Sequence, residues 1–210
     1  RVLDHLDSKT FKVGICGFGV IGKLHYSMLK SLLGDKADQF IIFDQEAKTQ
    51  NFGLALDCSN TYLTKSWEEA YQKSDIFLTC TTTSTPYIDI PPKPGSIHLN
   101  ISLRDYHPKV FAHSNCIIVD DWDEVCRENT DIYRAHLQHN LTKDRVIDLV
   151  EFHSSSFFKD FDAKAFQEND FFHFNPMGMS VFDIAIATDF YQRALDGEIG
   201  VILEKEYCDV

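Results

Sequence analysis

The 210-residue chain carries 20 Lys and Arg against 32 Asp and Glu, a formal net charge of −12. Hydrophobic residues make up 44% and charged residues 25%, the composition of a globular domain rather than of a disordered tail or a fibre. The acidic balance disfavours nucleic acid and anionic membrane surfaces as partners, and no apolar run approaches the roughly 18 residues of a membrane span.

Phe11–Cys16 (FKVGIC) reads as a first strand. Val20–Leu33 reads as a helix, with apolar Ile21, Leu24, Leu29 and Leu32 at roughly helical spacing. Residues 39–44 (QFIIFD) form a second buried strand in this reading, and 47–58 a helix whose pattern Gly53 weakens. A short strand is expected over 61–64. Ser66, with Glu69 three residues on, reads as a capping box that opens the helix Trp67–Lys73. Residues 75–81, 96–103 and 116–120 supply three more strands, the first two separated by a Pro-rich break at Pro86, Pro91, Pro92 and Pro94. Residues 123–129 read as helix, 146–152 as a last edge strand and 171–174 as a buried aromatic segment. Residues 180–195 (SVFDIAIATDFYQRAL) form a long helix stopped by Gly197 and Gly200. Strands alternating with helices predict a doubly wound, mostly parallel α/β sheet of Rossmann type.

The six cysteines, Cys16, Cys58, Cys80, Cys116, Cys126 and Cys208, form no CxxC pair, and no secretory signal opens the chain. Both features point to a reduced, cytoplasmic setting. His136 and His139 are spaced to share a metal on one helix face. No further ligand is placed to complete a site, so no metal is expected.

The strongest local signal is Gly17-Phe18-Gly19-Val20-Ile21-Gly22, a GxGxxG directly between a strand and a helix. Gly17 permits the tight turn, Gly19 lets backbone approach a diphosphate, and Gly22 lets the helix pack close to the strand. The N–H groups at the helix start then meet the phosphate charge. Asp44 closes the second strand, 22 residues after Gly22, where a carboxylate accepts from both ribose hydroxyls and repels a 2′-phosphate. NAD is therefore expected over NADP.

In a sheet of this type ligands lie beyond the carboxyl ends of the strands. The fourth strand ends in Thr81 and Thr82, small enough to line a cofactor; threonine's preference for strands is the alternative reason for their presence. The next ends in Ser102-Leu103-Arg104-Asp105, with Lys109 shortly after. Its Arg–Asp pair is suited to a charged substrate or a proton, or is simply a surface ion pair. Asp120 and Asp121 are read as caps of the following helix. Pro176-Met177-Gly178 is a turn that can present backbone to the nicotinamide, and Asp183 favours the dipole of the helix it opens. There is no G-x-S-x-G elbow for a hydrolase, and Leu24 stands where a P-loop needs Ser or Thr.

Taken in order, GFGVIG, FD at Asp44, SDIFLTCTT, HLNISLRD, IIVDD and NPMGMSVFDIAIATDFYQRAL resemble the ornithine cyclodeaminase/mu-crystallin family over most of the chain. HLNISLRD, VDDWDEVCRENT and NPMG look most like its 2,3-diaminopropionate-forming branch, found in siderophore and antibiotic pathways. The resemblance implies NAD-dependent oxidation of N-(2-amino-2-carboxyethyl)-L-glutamate to 2-oxoglutarate and L-2,3-diaminopropionate. It assigns Asp105 as the catalytic aspartate that moves protons and water at the substrate imine. It places Ser102, Leu103 and Arg104 beside the nicotinamide half, with Lys109 nearby, and Pro176 and Met177 at a turn touching cofactor and substrate. Leu103-Arg104 stand where the cyclodeaminases proper usually carry glycines, which disfavours ornithine cyclisation. Residues 1–178 are then the dinucleotide-binding domain, and 179–210 a C-terminal helix and tail. Family members carry a further N-terminal substrate and dimerisation domain, expected to be missing here. A homodimer acting on a small amino-acid substrate is expected, with apolar surface left bare around 171–174 and 180–195. The rival readings are an ornithine cyclodeaminase or ketimine reductase, and a non-catalytic NAD-binding module.

Overall fold

Near-continuous apolar runs make strands that are covered on both faces, and here they make one parallel sheet. The structure is a computed structural model that describes residues 10–46, 59–114, 116–154 and 170–201. Its strands are β1 (Phe11–Cys16), β2 (Ala37–Phe43), β3 (Thr61–Leu63), β4 (Ile76–Thr79), β5 (Ile97–Asn100), β6 (Cys116–Val119), β7 (Val146–Asp148) and β8 (Phe172–Asn175). They lie in the order β3-β2-β1-β4-β5-β8-β6-β7, with every neighbouring pair parallel. The Rossmann-type sheet predicted from the alternation is therefore present. The chain divides into two units, residues 1–177 and 178–210. The second contains one described helix, α6 (Ser180–Asp196), with Asp183 in its first turn.

The helices of the first unit are α1 (Val20–Leu33), α2 (Trp67–Lys73), α3 (Trp122–Arg127), α4 (Asp131–His139) and α5 (Leu149–His153). α1 buries Gly22, Tyr26, Leu29 and Leu33. The Tyr26 ring meets Phe18 and Phe40 edge-on. The apolar residues that suggested the helix are mostly on its other side, for Ile21, Leu24 and Leu32 are exposed. Gly22 explains the shift: without a side chain there, the stripe through Gly22 and Tyr26 sits closest to the sheet. Short 3-10 turns cover Gly34–Lys36, Pro108–His113 and Lys143–Arg145.

Four sequence expectations need correction. The Ser66 hydroxyl accepts from Glu69 N (3.4 Å), but the Glu69 carboxylate turns to Thr64 Oγ1 and to Lys73 Nζ (2.7 Å), so only half of the capping box forms. The strand expected over 146–152 ends at Asp148, whose carboxylate caps α5 by accepting from Glu151 N at 2.7 Å. Asp121 caps α3 as expected (Glu124 N, 2.9 Å), whereas Asp120 Oδ1 accepts from Met177 N at 3.2 Å. Phe171 and Phe172 are buried, as the aromatic segment predicts and against the expectation of bare surface there, because β8 is inserted between β5 and β6. The helix expected over 47–58, with Cys58, and the residue Cys208 lie outside the described residues.

Cys16, Cys80, Cys116 and Cys126 are free thiols. His136 Nδ1 lies 2.8 Å from Leu141 O, and its ring meets Trp122 edge-on. Among the described residues no group of three or more His, Cys, Asp or Glu is placed to hold a metal. No described helix is long and apolar enough to cross a membrane.

Two histidines sit in the core where the sheet could have used aliphatics. His98 on β5 and His173 on β8 are fully buried and stacked, 5.8 Å apart at 10°. His98 is held by Ser96 Oγ and Tyr106 Oη, each at 2.8 Å. Burial drives the His98 pKa down to about 3 and that of His173 well below the usual imidazole range. Between the ordinary value near 6.5 and these depressed values the unfolded chain binds more protons than the folded one, so stability falls as pH drops. Denaturant unfolding is therefore expected to show a loss of stability between pH 7.5 and pH 5 that His173→Phe reduces. An unchanged slope in the variant would refute this.

Candidate dinucleotide and active site

The first βα turn is built as its glycines require. Gly17 has φ +88°, and a Cβ there would run into the Cys80 carbonyl; one on Gly22 would run into the carbonyl oxygen of Gly17. Gly19 is different, since a Cβ on it would meet nothing within 4 Å. Gly19 is also the N-cap of α1, and with no side chain capping that helix its first N–H groups are left for an anion. Asp44 turns toward this loop. Its Oδ2 accepts from Phe18 N at 2.6 Å and its Oδ1 from Glu46 N at 2.8 Å.

A cleft of about 520 Å³ opens here, at the carboxyl ends of β1, β2 and β4, where the strand order reverses. Gly17, Gly19, Asp44, Thr81 and Thr82 line it, together with Trp67 and Tyr87, which the sequence reading did not single out. Their signal was weak: Trp67 looked like an ordinary first-turn helical residue, and Tyr87 lay in the Pro-rich break. Phe18 is buried below the loop, while Val20 and Ile21 are exposed at the helix start.

Thr81 connects the cleft to Asp105. Its hydroxyl donates to Asp105 Oδ1 at 2.6 Å, and the Ser102 hydroxyl donates to Oδ2. Asp105 is fully buried. Burial raises its pKa above the ordinary aspartate value, and the Ser102, Thr81 and Tyr87 hydroxyls oppose the rise without cancelling it. A carboxyl raised in this way holds a proton more readily than an exposed aspartate, which suits a group that gives and takes one. The Tyr87 hydroxyl is itself buried, and burial pushes its pKa up, so it remains a neutral neighbour of Asp105. Burial also pushes the Cys80 thiol up to about 12.

The remaining expected residues do not line the cleft. Ser102 N donates to Thr79 O at 3.1 Å, and Leu103 is buried with φ +60°. Arg104 is exposed, and the surface ion pair that is one of its two readings with Asp105 does not form, because Asp105 points inward to the hydroxyls. Lys109 Nζ pairs with Asp89 at 3.3 Å on the surface, an exposed pair that contributes little to stability. Pro176 is half-buried, and Met177 packs at the edge of the core.

No family model matches the chain. It is 30% identical over 209 residues to N-((2S)-2-amino-2-carboxyethyl)-L-glutamate dehydrogenase of Staphylococcus aureus, a match covering 95% of this chain and 60% of that protein. Three solved structures are similar in fold. The crystal structure of CmnK has a TM-score of 0.66 at 23% identity, covering 97% of this chain and 61% of that one. Thermococcus litoralis Δ1-pyrroline-2-carboxylate reductase, in complex with NADH and L-proline, has a TM-score of 0.73 at 16% identity, covering 96% and 64%. The iminosuccinate reductase of Paracoccus denitrificans, in complex with NAD+, has a TM-score of 0.68 at 12% identity, covering 97% and 63%. The chain thus spans about 60% of the length of the curated relative it matches.

Sheet order, glycine turn and strand-end carboxylate together define a Rossmann-type α/β protein with a cleft at its topological switch point. Motif order and sequence likeness narrow the resemblance: the chain is similar to the ornithine cyclodeaminase/mu-crystallin family, and the curated dehydrogenase it matches is covered over 60% of its length.

Proposed function

We propose that the chain binds NAD and handles the proton in oxidative cleavage of N-(2-amino-2-carboxyethyl)-L-glutamate to 2-oxoglutarate and L-2,3-diaminopropionate. The observation that carries this reading is Thr81, which lines the cleft and hydrogen-bonds Asp105 at 2.6 Å. One side chain thereby ties the nucleotide's place to a buried acid. The cradle suits a dinucleotide: Gly19 leaves room, the uncapped start of α1 faces a diphosphate, and Asp44 stands at the end of β2 for the ribose. When bound, the nicotinamide supplies the hydride acceptor.

The chain's own residues supply orientation and proton transfer. Loss of hydride from the substrate carbon bearing the secondary amine leaves an iminium ion. Asp105 takes a proton from the water that adds to the iminium carbon. It returns that proton to the departing nitrogen, and as the C–N bond breaks the adduct's hydroxyl proton is released, giving the keto acid and the free amine. Thr81 and Ser102 hold the carboxyl in place for both transfers. The same reading has the protein act in the cytoplasm as a homodimer, a state that sedimentation velocity reads directly, within siderophore or antibiotic building-block synthesis.

NADH appearance with the carboxyethyl-glutamate, and no proline from ornithine, is the expected assay result; proline release with no NADH would overturn the assignment. Calorimetry tests the ribose acid separately. Hydrogen bonds to a charged group are worth roughly 1.5–3 kcal/mol, so Asp44→Ala should weaken NAD about 10- to 100-fold and narrow its margin over NADP. Unchanged affinity would remove Asp44 from the site.

A further inference from the structure

The turn that carries Asp105 is not held by its own sequence. Leu103 adopts φ +60°, a conformation that costs a branched, bulky residue energy and persists only where the surroundings impose it. Two residues impose it, Asn100 three positions earlier through its side chain and Asp131 on α4 through its backbone N–H. Asn100, at the end of β5, accepts with Oδ1 from Leu103 N at 3.1 Å and from Thr79 Oγ1 at 2.9 Å. Its Nδ2 donates to Asp131 Oδ2 at 3.1 Å and to Asn175 Oδ1 at 3.0 Å. Asp131, the first residue of α4, returns to the same turn twice. Its N–H donates to Leu103 O at 2.8 Å, and its Oδ2 accepts from Tyr106 N at 2.9 Å. Leu103 is therefore fastened on both sides, and Tyr106 beyond Asp105 is fastened as well.

Thr79, Asn100, Asp131 and Asn175 are all buried, and buried polar groups are costly unless mutually satisfied. An apolar set would close the sheet equally well, so the network's use lies in what it orients. It also reaches the other wall of the cleft. Arg134, one turn along α4, donates from Nη2 to Ser84 O at 3.1 Å in the segment that follows Thr81–Thr83, and its Nη1 stands 3.7 Å from Asp131 Oδ1. Burial pushes the Asp131 carboxyl up to about 7, in keeping with a group placed for geometry rather than for charge.

We propose that Asn100 and Asp131 are positioning residues for Asp105: they clamp Leu103 in its left-handed conformation and so hold the Asp105 carboxyl against Thr81, which lines the cleft. This rests on the reading of Asp105 as the proton-handling group. The test is a rescue. Asn100→Ala is expected to lower kcat about 100-fold with the KM for NAD unchanged, as for a misplaced reacting group. Adding Leu103→Gly, which tolerates φ +60° without a clamp, is expected to recover at least tenfold of that loss. Asp131→Asn keeps an acceptor oxygen for Tyr106 and Asn100 and should stay within about threefold of the parent, whereas Asp131→Leu should fall as far as Asn100→Ala.

A second readout needs no turnover. Carboxyl-carbon NMR of Asp105 in the parent chain should give a titration midpoint above the ordinary aspartate range, dropping toward it in Asn100→Ala and returning in the double variant. An Asn100→Ala protein with unchanged kcat and midpoint, or a double variant no better than the single one, overturns the proposal. If Asn100→Ala does not fold, Asp131→Leu against Asp131→Asn decides on the same two readouts. If the parent oxidises no substrate, the functional reading fails, while the midpoints still decide whether the clamp exists.

Discussion

Asp105→Asn is expected to lower kcat by about 10²- to 10⁴-fold while leaving NAD affinity within a few-fold. The asparagine is nearly the same size and can still accept from Thr81, with the Ser102 hydroxyl turning to accept in its place, so the turn survives and only the proton chemistry goes. The parent's pH profile carries the same information. Burial raises the Asp105 pKa, so the carboxylate needed as a base is lost as pH falls through a midpoint above the ordinary 3.8. That acid limb should be absent from whatever activity the variant retains. Stopped-flow turnover beside calorimetric NAD titration checks both halves, and an equal loss of binding and turnover would remove Asp105 from its role.

The second large effect separates two glycines that a motif treats alike. Gly19 has φ −72° and empty space where a side chain would begin, so Gly19→Ala should fold with parent stability. The added methyl group occupies the cleft wall, and NAD affinity should drop tenfold or more, equivalent to at least about 1.4 kcal/mol. Gly22→Ala should do the opposite first. Its Cβ meets the Gly17 carbonyl, and overpacking of that kind typically costs about 1–3 kcal/mol. Thermal unfolding and calorimetry on the two variants give the contrast. A destabilised Gly19→Ala protein with normal binding would contradict the placement of the diphosphate.

The glycine turn and the Asp44 strand end were legible because both are local: a short spacing after a strand fixes them whatever the rest of the chain does. Asp105 was legible only through family likeness, since its setting depends on Thr81, 24 residues away, and Ser102. The clamp was not legible at all. Asn100 reads as the polar end of a strand, and nothing in sequence spacing brings it to Asp131 or to Asn175, which lies 75 residues on. The buried face of α1 was misread because close packing, not hydrophobicity, selected it: Gly22 is buried and Leu24 is exposed. Lys109 was placed near the nicotinamide half by the family resemblance, and its Nζ pairs with Asp89 at 3.3 Å. Strand existence followed from composition, whereas strand order, and β8 above all, followed from pairings no local pattern encodes.

The place of β8 has a consequence for biosynthesis. Among the described strands it is the last in sequence, yet it alone joins β5 to β6. A nascent chain that has left the ribosome only as far as residue 170 can assemble β3-β2-β1-β4-β5 and β6-β7 as separate blocks, each with an open inner edge. Such edges invite pairing with other chains, and late, distant strand pairings are slow to form. Synthesis of β8 therefore acts as the closing stitch, and translational pausing before it would lengthen the interval in which the protein is open to aggregation and to chaperone capture.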